Sequence, residues 1–198
     1  MIGLANFLLK ELADCKAHGI DVVLSPASTI KYGGLDCTGW FDETSLQVAI
    51  GRPAPEWLST FVHESCHKDQ FLEKAEAWDT KVGDHDTCDI LDMWLERVVE
   101  LAPDQLAVVI DKVQRVELDC ERRSVAKIIG NALPIDVDIY AKKANAYVWF
   151  YRALPLTRRW IVAPYNNPKL LATMPTHFDN DYRTLPGGFL EIINEGVG

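Results

Sequence analysis

Residues 61–67, with the sequence Phe-Val-His-Glu-Ser-Cys-His, contain the side chains whose types and spacing are best suited to chemistry. On a helix, His63 and His67 are separated by about 400° of rotation and about 6 Å of rise, so both imidazoles leave the same face. Two such imidazoles can bind one metal ion. Glu64 can reach a water molecule on that ion without being a ligand, which is the place of a general base. The segment predicts a hydrolytic site with zinc as its cofactor.

A catalytic zinc ion needs a third protein ligand and an open fourth position. Gln70 and Glu73 stand where a metzincin would have its glycine and its third histidine or aspartate, and the sequence contains no GTxxD segment of the aspzincin type. Glu117 and Glu121 are the remaining candidates, because they lie four residues apart on one face of a segment with strong helical periodicity. The same spacing also suits an acidic pair on an exposed surface.

Residues 63–67 (His-Glu-Ser-Cys-His) and 117–121 (Glu-Leu-Asp-Cys-Glu) together resemble a gluzincin-type zinc metallopeptidase. The arrangement is also similar to that of ImmA/IrrE-type peptidases and of zinc-peptidase-like proteins carried by bacteriophages. The resemblance implies that Glu117 is the third ligand and that Glu121 supports a histidine. Asp119 and Cys120 replace the usual Glu-Ala pair, and the two motifs are fifty residues apart. The sequence therefore leaves open whether Glu117 or Glu121 is the third ligand.

A zincin usually has a tyrosine, histidine or arginine that stabilises the oxyanion of the transition state. His177 and Tyr182 lie in a proline-rich C-terminal region and are candidates for that role, although both also suit ordinary loop packing. Cys66 and Cys120 are expected to be buried packing residues. The aromatic residues within 140–151 are expected to form core rather than a ligand platform.

The composition narrows the classes of partner. The chain has 198 residues, 22.3 kDa and a net charge of −9, and its basic residues are scattered, which argues against binding nucleic acid through phosphates. No apolar run reaches the roughly 20 residues of a membrane span. Five cysteines without a CxxC pair favour reduced thiols and a cytoplasmic location, which would be the host cytoplasm for a phage-encoded protein. The expected partner is a protein or peptide substrate.

Periodicity predicts helices over residues 3–17, 55–77, 89–101, 104–131 and 138–154, and three strands, Asp21–Leu24, Gly39–Asp42 and Ser45–Ile50. Residues 78–88 are expected to form a polar loop. Five prolines after residue 154 indicate ordered loops with little regular structure. The expected fold is a single zincin-like α+β domain over residues 1–198, mainly helical, with a small sheet beside the helix that carries His63 and His67. A protein that uses this fold for binding, with a structural or vestigial zinc, is the rival hypothesis.

Overall fold

The computed structural model describes residues 2–32, 35–161 and 164–195. It confirms the α+β class, because about 60% of the chain is helical and the strands form small sheets. The elements in chain order are α1 (Ile2–Ala17), β1 (Asp21–Ser25), β2 (Ile30–Tyr32), β3 (Leu35–Cys37), β4 (Gly39–Phe41), β5 (Ser45–Ala49), α2 (Ala54–Glu73), β6 (Lys81–Val82), β7 (His85–Asp86), α3 (Thr87–Leu95), α4 (Pro103–Gly130), α5 (Val137–Thr157), α6 (Pro168–Thr173) and α7 (Phe189–Glu195).

The chain divides into two compact units. The first unit contains Met1–Ala75 and Cys120–Val137, and the second contains Glu76–Asp119 and Asp138–Gly198. The sequence contains no linker from which this division could be predicted. The expectation of a single domain over residues 1–198 stays a prediction. No helix among the described residues combines the length and the apolar character that crossing a membrane requires.

The first unit is built on a three-stranded sheet in the order β1-β5-β4, in which β1 runs parallel to β5 and β4 runs antiparallel to it. Alternate side chains of β5, Leu46 and Val48, are fully buried beside α2, as are Leu58 and Phe61 of that helix. All three predicted strands are therefore confirmed, and the sheet lies beside the helix that carries the two histidines. The strands β2 and β3 form a separate hairpin that the sequence did not indicate.

Helix α2 begins directly after Pro53, with Pro55 in its first turn, where a missing amide hydrogen does no harm. Its predicted end near residue 77 is wrong. The helix ends at Glu73 because Lys74 takes a left-handed conformation, with φ at 51°, and its amide bonds to the carbonyls of Gln70 and Phe71. This is the geometry that usually belongs to a glycine at a helix C-terminus.

A buried network of ion pairs fastens α1 to α2 and to the second half of α4. The Lys68 ammonium is 1% exposed and lies 2.8 Å from Glu11, 3.2 Å from Asp69 and in direct contact with Asp14. Lys127 of α4 lies 3.2 Å from Glu11 and 2.8 Å from Asp69. These carboxylates raise the pKa of Lys68 against the opposing effect of burial, so the lysine remains charged.

The second unit has a largely aromatic and aliphatic core formed by α3, the first part of α4, α5 and the C-terminal helices. Its buried residues include Trp94, Ile110, Trp149, Phe150 and Phe189. Helix α5 forms where it was predicted but extends three residues beyond its predicted end, with Pro155 inside it. The strands β6 and β7 form a hairpin inside the expected polar loop. The helices α6 and α7 were not expected. Pro168 starts α6 rather than breaking it, because Asn167 caps the helix by accepting hydrogen bonds from the amides of Lys169 and Leu170.

Candidate metal centre

His63 and His67 face each other on one side of α2. Their Nε2 atoms lie 3.1 Å apart, and the two rings are nearly perpendicular, with centroids 4.6 Å apart. Zinc binds imidazole nitrogens at about 2.0–2.1 Å in a tetrahedral arrangement, which places two such nitrogens about 3.3 Å apart. The pair therefore has nearly the separation that one tetrahedral ion requires.

The other ring nitrogen of each histidine is held by an acceptor. His67 Nδ1 lies 2.8 Å from the amide oxygen of Gln70, a fully buried residue one turn further along α2. His63 Nδ1 lies 3.2 Å from a carboxylate oxygen of Glu121, on α4. A neutral imidazole that donates to either oxygen from Nδ1 has its lone pair on Nε2, where a metal ion can bind. Such outer hydrogen bonds orient histidine ligands in metal sites and increase their basicity.

Cys120 also lies beside His63. Its Sγ atom is 3.5 Å from His63 Nδ1, and the thiol donates a hydrogen bond to the carbonyl oxygen of His63 at 3.3 Å. The candidate ligand atoms of His63, His67 and Cys120 all lie within 4.8 Å of one another, so these residues could hold a metal ion. Cys120 is fully buried, as expected.

Glu64 projects from α2 towards the edge strand β4 and is 6% exposed. Its carboxylate lies so close to Gly39 that a Cβ atom on that glycine would be 2.9 Å from Oε1 of Glu64. Burial, with a smaller contribution from the Glu64 charge, raises the pKa of the neighbouring Cys37 thiol to about 11. The candidate base is therefore a buried carboxylate held against the backbone of an edge strand.

Glu117 belongs to the second unit and Glu121 to the first, although both are on α4. In the second unit, Oε1 of Glu117 accepts hydrogen bonds from the hydroxyls of Tyr151, at 3.3 Å, and Tyr147, at 3.4 Å. The structure therefore brings Glu121 to His63 and Glu117 to two tyrosines. The role of Glu117 as third ligand stays a prediction.

The two residues proposed for the oxyanion lie in the second unit. Tyr182 is 3% exposed, its ring packs on Trp149 with centroids 4.5 Å apart, and its hydroxyl donates to the side-chain oxygen of Asn145. The side chain of His177 is exposed, and its carbonyl oxygen accepts a hydrogen bond from the amide group of Asn145. These contacts are structural ones. A catalytic role for either residue stays a prediction.

Three residues that contact the predicted site residues were not identified as functional from the sequence: Gln70, Tyr147 and Tyr151. The contact of Gln70 with His67 could be predicted, because a residue three positions after a histidine on a helix can reach its ring. The contacts of the two tyrosines with Glu117 could not be predicted, because they join residues distant in the sequence.

Comparisons with protein-family models, with curated protein sequences and with solved structures find no match for this chain. The family resemblance therefore rests on the two motifs, and the function is argued below from the geometry around them.

Proposed function

We propose that this chain is a zinc-dependent metallopeptidase with a zincin-like arrangement of helix and edge strand, which hydrolyses a protein or peptide substrate. The observation that carries the proposal is the geometry of His63 and His67. Their Nε2 atoms are 3.1 Å apart, and each Nδ1 is occupied by an acceptor that leaves the lone pair on Nε2. This preorganisation, together with a glutamate directly after the first histidine, is what a hydrolytic zinc site requires.

The residues have separate roles in this proposal. His63 and His67 hold the metal, and Glu117 is the third ligand implied by the resemblance. When bound, zinc acidifies water and polarises the carbonyl group of the substrate. Glu64 accepts the proton of the attacking water and passes it to the leaving amine. Glu121 keeps the His63 ring in its tautomer and orientation through the 3.2 Å contact with Nδ1.

The burial of Glu64 supports its role as the base. A carboxylate that is 6% exposed and confined between α2 and the backbone of β4 has little freedom to turn away. A proton acceptor is effective only when it is held within hydrogen-bond reach of the proton it removes. Among the described strands, β4 pairs only with β5, and the zincin-like hypothesis places an extended substrate along the other edge of β4.

The first test is the metal content of the purified protein, measured by plasma mass spectrometry after zinc is supplied and the excess removed. We expect about one zinc per chain in the wild type, loss of zinc in Glu117→Ala and retention with weaker affinity in Glu121→Ala. Glu73→Ala is the matched control, because Glu73 is exposed and pairs with Arg123 on the surface. Absence of zinc from the wild type would overturn the proposal, and the reverse result for Glu117 and Glu121 would exchange their roles.

A second test separates binding from catalysis. Glu64→Gln should keep the full zinc content, because Glu64 is not a ligand, while it abolishes hydrolysis of any peptide that the wild type cleaves. Removing one catalytic proton acceptor typically lowers the rate by about 10²–10⁴-fold. Cleavage by Glu64→Gln at the wild-type rate would contradict the mechanism, whatever the metal content.

One observation favours a second function. Cys120 Sγ lies 3.5 Å from His63 Nδ1, and Glu121 lies on the same side of that ring. A metal bound by His63, His67 and Cys120, and closed by Glu121, would be structural. The chain would then be a zincin-fold binding protein, and the rival hypothesis assigns it a partner-binding role for a phage or prophage.

Cobalt substitution distinguishes the two functions. Thiolate ligation by Cys120 produces a near-ultraviolet charge-transfer band that Cys120→Ser abolishes, and closed tetrahedral coordination leaves no position for an inhibitor. The peptidase proposal expects no such band and a visible spectrum that changes when a hydroxamate is added. Cys66→Ser is the control, because Cys66 is equally buried but is not among the candidate ligands.

A further inference from the structure

A carboxylate and two phenol groups meet inside the second unit, and the sequence assigned both phenols to the core. Glu117 Oε1 accepts from the hydroxyls of Tyr147 and Tyr151, and these hydroxyls lie 2.7 Å from each other. Glu117 is 9% exposed and Tyr151 is 4% exposed. We refer to these three residues as the tyrosine–carboxylate cluster.

Three oxygen–oxygen contacts share two hydroxyl hydrogens in this cluster. One tyrosine donates to the other over 2.7 Å, and the second tyrosine then donates to Glu117. The hydroxyl that donates to Glu117 therefore accepts from the other hydroxyl, and a carboxylate oxygen at the end of such a chain is held in one orientation.

The surroundings fix the two phenol rings. Tyr147 and Tyr151 are four residues apart on α5, with ring centroids 5.3 Å apart. The edge of Tyr147 meets Tyr165, with centroids 6.0 Å apart, and Tyr151 meets Trp160 at 6.1 Å. Rings held in this way lose little further entropy when their hydroxyls bind a carboxylate. A simple core position would need no such alignment of two hydroxyls.

We infer that Tyr147 and Tyr151 are positioning residues that hold the Glu117 carboxylate ready to bind the metal. This inference rests on the proposed function, in which Glu117 is the third ligand. Hydrogen-bonded groups behind a metal ligand typically contribute about 10–100-fold to metal affinity. The two tyrosines would orient Glu117 through hydrogen bonds, as Gln70 orients His67 and Glu121 orients His63.

The test measures zinc affinity by competition with a chromophoric chelator. We expect the double variant Tyr147→Phe/Tyr151→Phe to bind zinc about 10–100-fold more weakly, and each single variant to lose less, because the remaining hydroxyl still reaches Glu117. Thr157→Val is the matched control. It removes another hydroxyl of α5, which bonds to the carbonyl oxygen of Ala153 instead. Thermal unfolding of the metal-free variants checks that each is folded.

A double-mutant cycle separates positioning from packing. With Glu117→Gln already present, removing the two hydroxyls should weaken zinc binding no further, because the charged carboxylate they hold is gone. If Glu117→Gln weakens binding but the phenylalanine variants equal the wild type, the inference is wrong and the proposed function stands. If Glu117→Gln leaves affinity unchanged, the inference is wrong and the third ligand lies elsewhere. If the wild type binds no zinc, both proposals are wrong.

Discussion

Gly39 is the residue at which one added methyl group should disturb the candidate base while sparing the metal ligands. A Cβ at this position would lie 2.5 Å from Thr60 Cγ2, 2.9 Å from Glu64 Oε1 and 3.0 Å from Glu64 Cγ. Carbon atoms in contact are about 3.5–4.0 Å apart, so the methyl group would overlap Thr60 by about 1 Å. No residue larger than glycine fits there unless α2 or β4 moves.

Thr60 cannot easily turn aside. Its hydroxyl accepts a hydrogen bond from Arg52 Nη2 at 2.9 Å and donates to the carbonyl of Glu56 at 3.3 Å, and a β-branched side chain on a helix has few rotamers. The displacement therefore falls on Glu64 and on the spacing between β4 and α2. Overpacking of this kind costs about 1–3 kcal/mol in the free energy of unfolding. A catalytic group moved by about 1 Å can lose about 10²-fold in rate.

The assay is urea denaturation of Gly39→Ala followed by circular dichroism, with zinc content measured on the same preparation. We expect the free energy of unfolding to fall by about 1–3 kcal/mol, and zinc to be retained because His63 and His67 are untouched. Gly130→Ala is the matched control, because a Cβ there meets nothing within 4 Å and alanine favours the end of α4. Equal stability of Gly39→Ala and the wild type would refute the close approach of Glu64 to β4.

Three further predictions concern the stability of the first unit. Lys68→Met should lower the free energy of unfolding by about 3–5 kcal/mol in urea denaturation, because it leaves the buried Glu11 with one cation fewer. Lys10 is exposed, so the control Lys10→Met should change the free energy of unfolding by less than about 0.5 kcal/mol. Lys74→Gly should raise the melting temperature and add about 0.5–1 kcal/mol to the free energy of unfolding, because glycine adopts the left-handed conformation of this position without strain. A lower melting temperature would contradict the left-handed φ of Lys74. The hydrogen bond from Lys68 lowers the pKa of Asp14 below its ordinary value of 3.8. The ion pair therefore stabilises the fold fully above pH 3.8, and this stabilisation is lost as the pH falls through the lowered pKa. On acid titration, Asp14→Asn should lose stability less steeply than the wild type, and identical curves would refute the ion pair.

The long elements could be predicted from the sequence because their apolar periodicity is strong. Helices α1, α2, α4 and α5 and the three strands of the main sheet follow from that pattern. The hairpin of β2 and β3 has strands of only three residues, too short for alternation to show. The prolines after residue 154 predict breaks in regular structure, yet Pro168 follows the capping Asn167 and begins a helix. The end of α2 at Lys74 depends on a backbone conformation that lysine rarely adopts.

The candidate site could be predicted only where one helix determines it. The facing imidazoles of His63 and His67 follow from their spacing alone, and the contact of Gln70 with His67 follows from the same rule. The contacts of Glu121 and Cys120 with His63 depend on how α4 packs beside α2 within the first unit, which periodicity does not specify. The tyrosines of α5 look like core residues in the sequence because their hydroxyls find partners only in the folded chain.

Helix α4 has a consequence for the separation of the two units. Its 28 residues extend over about 42 Å, and the division between the two units falls within it, between Asp119 and Cys120. Neither unit is a continuous stretch of sequence, and any separation of the two divides this helix. Each unit therefore contains part of the same continuous helix. Glu117 and Glu121, one helical turn apart across that division, share one helical register, and a single inserted residue between them would rotate one relative to the other by about 100°.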